Sequence, residues 1–473
     1  MAVPPPAVSL SFLAAAALGL VACGGAWIWA RAAGDPTADP VVVAVHFGVL
    51  ATLAMGVMGA THQFAPVISG RSLRSVGLAR ATFLAWLGAS WLLPLGVATE
   101  QVAVTAVSGA LAGTAVVLLA VNLAGPVAVR GKGTPVTALR VGVAGALLTG
   151  YLGTAFVADR QGTWFDLAGH VDLAMGVLGL FGWLGVTYIG VAEKLWPMFM
   201  LAHVPGRHLA GRLAVWGVAG GVALLTPGLG WGIPQLAWPG AGIAAAGLAA
   251  HLVSLGAHVR HRQRRADLHL VFVLTSASWL VAGAGLALAA ALTVPADHRA
   301  GMALAAGAMA AFGGWLLEAL VGHAHKVVPF VVWSALRSRG IDQGPGGRPL
   351  MFGDLYDHPT AGATYGLVTA GIAALGTGLA GSFPVATAIG GALLAATGLV
   401  VAANLSVVPV RMLAAGTVTM AGPPDGGRRA DATVASAAGA AEAAGPVEAE
   451  PPAGDTGGTG NGSGTGPGQR ASR

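Results

Sequence analysis

The stretch Gly322-His323-Ala324-His325-Lys326-Val327-Val328-Pro329 places two imidazoles, with the Glu318 carboxylate just before them, in a run that is otherwise apolar from Phe312 to Phe330. In lipid such groups are expensive, and where they occur they face a protein interior, a water path or a bound group. Two earlier stretches align with this one on its proline: Gly59-Ala60-Thr61-His62-Gln63-Phe64-Ala65-Pro66 and Gly190-Val191-Ala192-Glu193-Lys194-Leu195-Trp196-Pro197. Each reads glycine, two residues, a ligand-type polar side chain, Gln or Lys, two residues, proline. The prolines are spaced by 131 and 132 residues, and Trp183 and Trp315 stand at one offset from theirs. An internal threefold repeat is the economical explanation.

Of 473 residues, 55% are hydrophobic and 9% charged, against roughly 25% charged in an ordinary soluble domain. No water-soluble surface can be built from such a chain, so it reads as all-α and polytopic in a membrane. Apolar runs near the ~20 residues that a bilayer requires fall at about 7–30, 41–68, 79–98, 102–129, 139–157, 170–200, 209–226, 239–258, 268–292, 300–333, 363–380 and 383–408. Residues 1–420 are thus expected to form twelve transmembrane helices. Residues 421–473, rich in Gly, Ala and Pro, are expected to form a disordered cytoplasmic tail.

The net charge of +6 reads as topology and not as a nucleic-acid face, because the basic residues sit in short loops. Arg71, Arg74 and Arg80 follow helix 2; Arg130, Lys132 and Arg140 follow helix 4; Arg207 and Arg212 follow helix 6; Arg260, Arg262, Arg264 and Arg265 follow helix 8. The odd loops carry Asp35, Asp39, Glu100, Asp159, Asp166 and Asp297. The positive-inside rule then places both termini in the cytoplasm of a multi-pass plasma-membrane protein. The single cysteine, Cys23, excludes internal disulfides and cysteine-cluster metal sites. Leu20-Val21-Ala22-Cys23 resembles a lipobox, but no Lys or Arg precedes it and the apolar run continues through Trp29, so it reads as part of helix 1.

Twelve spans, both ends cytoplasmic, and three four-helix arcs in which helices 2, 6 and 10 share one pattern resemble the catalytic subunit of the haem-copper oxygen and nitric oxide reductases. Val45-His46-Phe47-Gly48, followed by Pro66-Val67-Ile68-Ser69-Gly70-Arg71, is similar to that family's helix-2 stretch. His323-Ala324-His325 resembles its His-x-His on helix 10. The resemblance implies haem as cofactor, with His46 as one ligand and His323 and His325 serving two different haems. It also implies a role in respiratory electron transfer or in oxygen or nitric oxide handling, beside an electron donor or other respiratory-chain subunits. The family's copper ligands are missing: helix 7 has no His-His pair and helix 6 offers only His170 near its outer end, a weak metal ligand, so a copper centre is not expected.

Residues two apart on an α-helix lie about 200° apart, so His323 and His325 are expected to point opposite ways. With the prolines level, His46 and His325 differ in depth by about 24 Å, whereas His62 and His325 share a register. The register favours His62 with His325 or His323 as a haem pair, and family carry-over favours His46. Glu318 and Glu193 are the proton-handling candidates; Glu318 alternatively partners an arginine or a backbone donor. Glu193-Lys194 reads as a helix-end pair with His62 or His325 as a partner. His251, His258, His261 and His269 flank the basic loop and are expected to be a solvated cytoplasmic edge. Two other classes stay open: a secondary transporter or metal/proton-coupled carrier, whose repeats come as two halves, and a non-catalytic oxidase assembly partner.

Overall fold

The computed structural model describes residues 4–31, 39–162, 171–204, 208–344 and 347–414; His170 and the expected 421–473 tail lie outside them. Twelve helices among these residues are long and apolar enough to cross a membrane: α1 Pro6–Ala30, α2 Asp39–Ser69, α3 Val76–Ala98, α4 Val102–Ala128, α5 Gly133–Asp159, α6 Val171–Met200, α7 Leu209–Gly230, α8 Pro234–Arg260, α9 Leu268–Thr293, α10 His298–Arg337, α11 His358–Ala380 and α12 Pro384–Ser406. The chain is therefore a multi-pass, all-helical membrane protein. Cys23 lies within α1, buried and unpaired with another cysteine. Helices α5 and α8 begin earlier than their apolar runs suggest, because Pro135 and Pro234 fall in first turns, where a missing N–H costs nothing, while Pro239 lies inside α8.

Three helices are inner. The most apolar windows of α2, α6 and α10 are 56, 72 and 61% buried, against at most 50% for the other nine, and these three touch one another. The outer helices pack along the seams α1–α2, α5–α6 and α9–α10, and α12 returns to close against α1. Glycine makes each of the three inner–outer seams possible. A Cβ on Gly59 would stand 2.5 Å from the Phe12 Cβ, one on Gly190 2.2 Å from the Ala138 Cβ, and one on Gly322 2.4 Å from the Phe272 Cβ. Small residues at such crossings let backbones approach where no hydrophobic force drives helices together.

The tight hairpins α3–α4, α7–α8 and α11–α12 share one turn. The amides of Gln101, Ile233 and Phe383 donate to the carbonyls of Gly96, Gly228 and Gly378 at 2.9, 2.7 and 2.7 Å. The preceding residues Glu100, Gly232 and Ser382 are left-handed, with φ of 54°, 64° and 54°. This is the six-to-one closure of a Schellman cap, and it satisfies helix-end carbonyls that would otherwise be left without donors.

Two further pairs of features recur. Phe47–Ala54 in α2 and Leu178–Gly185 in α6 are π-helical, at the same 131-residue offset as the prolines; such widened turns often mark functional segments. No sequence feature above predicts them, and α10 runs α-helically from His298 to Arg337. Asn122 and Asn404, on α4 and α12, accept at 2.9 and 2.8 Å from the backbone amides of Ser75 and Asp357, the N-cap residues of α3 and α11.

Asp357 in turn accepts from the Thr360 hydroxyl and amide at 2.6 and 2.9 Å. The Thr360 hydroxyl chiefly, and then its amide, hold the Asp357 carboxyl below the usual carboxylate range. A depressed folded-state value means that the cap stabilises α11 above the unfolded carboxyl value of about 4 and is lost as pH falls through the lower folded value. Amide exchange at Thr360, Ala361 and Gly362, corrected for intrinsic rates, is expected to accelerate between pH 5 and pH 3 by about tenfold or less. The acceleration should vanish in Asp357→Asn, which caps without titrating; equal acceleration in both proteins would refute the assignment.

Candidate functional site

The imidazoles gather where α10 finishes and α9 and α11 begin. His323 and His325 do diverge. His323 faces α6 and α9, its ring centroid 4.7 Å from that of His269 at an interplanar angle of 81°, 5.9 Å from Tyr188 and 6.4 Å from Phe199. His325 stacks on Phe272 of α9 at 5.8 Å and 17° and lies 6.0 Å from Tyr356. At the rim, Lys326 pairs with Asp267, the N-cap of α9, at 2.5 Å. Burial and the neighbouring Asp267 charge push the Tyr356 phenol above its ordinary value.

The hydrogen bonds fix the tautomers. The Nδ1 of His323 lies 2.7 Å from the Ala319 carbonyl, that of His325 2.9 Å from Val321, and that of His62 2.8 Å from Met58. A carbonyl only accepts, so each Nδ1 carries the proton and each neutral ring keeps its lone pair on Nε2. All three Nε2 atoms are buried with no hydrogen-bond partner. Lone pairs directed in this way by a bond on the far side of the ring are what a metal or haem iron takes from histidine.

His62 and His325 occupy matching places. His62 stacks on Phe12 of α1 at 5.3 Å and 28°, as His325 does on Phe272 of α9, and each lies three residues after the glycine that admits that same phenylalanine. They sit in separate seams, α1–α2 and α9–α10, and not ring to ring. His46 is half-buried, with its Nδ1 2.7 Å from the Val42 carbonyl, immediately before the π-helical segment.

Three histidines expected at a solvated edge are buried instead: His251, His258 and His269 are 2, 0 and 5% exposed. His251 is enclosed by Trp196 at 5.0 Å, Tyr188 at 5.7 Å and Trp315 at 6.1 Å. His258 lies 6.0 Å from Trp196 and bonds the Ser254 carbonyl through Nδ1. The expectation failed because it followed the neighbouring arginines and not the helix period. His251, Ser254, Leu255 and His258 recur at 0, 3, 4 and 7 on the buried face of α8, a spacing visible in the sequence. Of that group, His261 is exposed as expected.

The two candidate carboxylates differ. Glu193 accepts from the Ser254 hydroxyl of α8 at 2.6 Å and abuts Gly211 of α7, while Lys194 is exposed. Glu318 is 0% exposed. It accepts from the Thr369 hydroxyl of α11 at 2.8 Å and the Trp279 indole N–H of α9 at 3.4 Å, so these partners are neutral side chains and not an arginine.

Among the described residues, no three His, Cys, Asp or Glu side chains converge as metal ligands. A cavity of about 430 Å³ opens elsewhere, between α5 and α7, lined by Thr134, Thr137, Arg212 and Trp216 among others. No model of a known protein family and no curated protein matches the chain.

Proposed function

We propose that this membrane protein follows the plan of the haem-copper oxidase catalytic subunits: three four-helix units, both termini cytoplasmic, and imidazoles of inner helices α2 and α10 holding haem. One observation carries the reading. His62, His323 and His325, all on inner helices, each tie Nδ1–H to a carbonyl one turn back and leave a buried Nε2 lone pair unpartnered. Leaving buried polar atoms unpaired costs about 1–3 kcal/mol each, so three with the same orientation point to a missing ligand. The recurrent Gly–Phe–His packing at α1–α2 and α9–α10, and the common turn in three hairpins, support three units; a two-halved carrier would show two.

Haem, when bound, supplies one-electron storage and transfer. The protein's part is to present the Nε2 atoms of His62 and of His325 or His323, to fix their rings against Phe12 and Phe272, and to exclude water with the surrounding apolar side chains. α7 carries no His-His pair of the kind that holds copper in that plan. The reading places the chain in respiratory electron transfer or in oxygen or nitric oxide handling, beside an electron donor or other respiratory subunits.

A reduced-minus-oxidised spectrum of the purified protein is expected to show a haem with imidazole ligation. His62→Ala and His325→Ala should each abolish or shift that signal, while His251→Ala leaves it in place. Purified protein with no haem absorbance, or a signal indifferent to His62→Ala, His323→Ala and His325→Ala alike, would reject haem ligation, and substrate counterflow in haem-free vesicles would then favour a carrier.

A further inference from the structure

Glu318 has a route to one edge of the bundle. On both helices that bond it, a hydroxyl lies one turn toward the α9 and α11 starts: Thr275 is four residues before Trp279 on α9, with Ser276 and Ser278 between them, and Tyr365 is four before Thr369 on α11. These two meet each other, with the Thr275 and Tyr365 hydroxyls 3.0 Å apart. The polar contacts between α9, α10 and α11 therefore form a ladder with one rung at Glu318 and the next at Thr275–Tyr365. The step between rungs is about 6 Å of helix rise, which a single bridging water or a swing of the phenol spans. Beyond the second rung stand Tyr356, with its ring 4.5 Å from that of His358, and the Asp267–Lys326 pair, which is partly exposed.

Hydroxyls suit this placement because each can accept a proton on one side while donating on the other. Thr275 and Tyr365 each lie one turn from a donor to Glu318, which is 0% exposed, and so continue its polar contacts toward the helix starts. The groups that face Glu318 are Thr369 from α11 and Trp279 from α9; no salt bridge to it exists among the described residues. Intramembrane carboxyls in such settings serve proton relays.

We propose that Glu318 is the inner terminus of a proton-conducting path that enters where α9 and α11 begin and passes through the Thr275–Tyr365 pair to Thr369. In each step, a proton bound from the entry side displaces the hydroxyl's own proton toward Glu318, so each relay group regains its starting composition once it reorients. The last transfer converts carboxylate to carboxylic acid at Glu318, and release regenerates the carboxylate. The inference does not depend on haem ligation, and its test reads a carboxyl vibration and not a haem band.

Infrared difference spectra of the full chain in lipid, on exchange from H2O to D2O, are expected to show a carboxylic C=O band that shifts down in D2O and is missing in Glu318→Gln. Tyr365→Phe and Thr275→Val should keep the band but slow its exchange by about tenfold or more, the effect of one lost relay contact on a barrier. Tyr151→Phe, on the exposed face of α5, should leave the rate unchanged. A Glu318 band that exchanges at the wild-type rate in both relay variants would overturn the path. So would the absence of any Glu318-dependent carboxylic band under acidic and neutral conditions, in wild-type protein whose melting matches that of Glu318→Gln.

Discussion

Gly322→Val is expected to remove most of the folded protein, and Phe272→Gly in the same chain to restore part of it. A Cβ at residue 322 would stand 2.4 Å from the Phe272 Cβ and 2.8 Å from its Cγ, far inside van der Waals contact. The colliding atoms are anchored to the α9 backbone, so no side-chain rotation clears them and the two helices must part. Overpacking typically costs about 1–3 kcal/mol and occasionally more. Valine's two further carbons, in a seam where Phe272 is 0% exposed and already covers His325, put this case at the upper end. Yield of monodisperse protein and the thermal midpoint in detergent are the readouts. Gly322→Ala should fall between wild type and valine, and the Phe272→Gly double variant, which removes the colliding Cβ, should recover part of the midpoint lost to valine, a positive coupling expected only of residues in contact. Gly59→Val against Phe12 is the matching experiment in α1–α2, with the same sign expected. Valine variants that melt like wild type, or additive double variants, would mean that the seams are not held by this contact.

The features open to sequence reading were those that repeat or that lipid imposes. Twelve apolar runs of bilayer length needed no tertiary information, because backbone polar groups in lipid must be satisfied within a helix. The opposite directions of His323 and His325 followed from the helical period alone, and the alignment on Pro66, Pro197 and Pro329 picked out the three helices that prove to be inner. The burial of His251, His258 and His269 was missed because charge in a neighbouring loop was weighed above a period-3.6 pattern that held the answer. The π-helical turns at Phe47–Ala54 and Leu178–Gly185 had no signature, since widening a turn by one residue depends on what packs beside it. One such contact is visible: the Trp86 indole of α3 donates to the Leu50 carbonyl within the first π segment at 3.0 Å. The partners of Glu318 were equally hidden, because Trp279 and Thr369 are 39 and 51 residues away in sequence and nothing local associates them.

At Glu318 the sign of the side chain's charge decides the largest remaining effect: Glu318→Lys is expected to abolish folding, while Glu318→Gln stays within about 1 kcal/mol of wild type. The carboxyl is 0% exposed and receives two hydrogen bonds, from Thr369 and Trp279. Glutamine satisfies both neighbours after one rearrangement: its carbonyl accepts from the indole, and its amide donates to the threonine oxygen, which accepts as readily as it donates. Alanine leaves the indole N–H without an acceptor and removes packed atoms, a loss of about 1–3 kcal/mol for the unpaired donor plus the void. Lysine brings an ammonium, which only donates, against an indole that also only donates, and the other neighbour, Thr369, is neutral. A buried charge without a partner costs several kcal/mol, comparable with the whole stability of a typical domain. Thermal midpoints should therefore fall in the order glutamine, alanine, lysine. If glutamine is as damaging as lysine, Glu318 is an ionised partner of a cation, and the neutral-donor geometry has been misjudged. If lysine is tolerated, the site is hydrated and not sealed, and the ladder through Thr275 and Tyr365 loses its reason for being, since water would reach Glu318 without it.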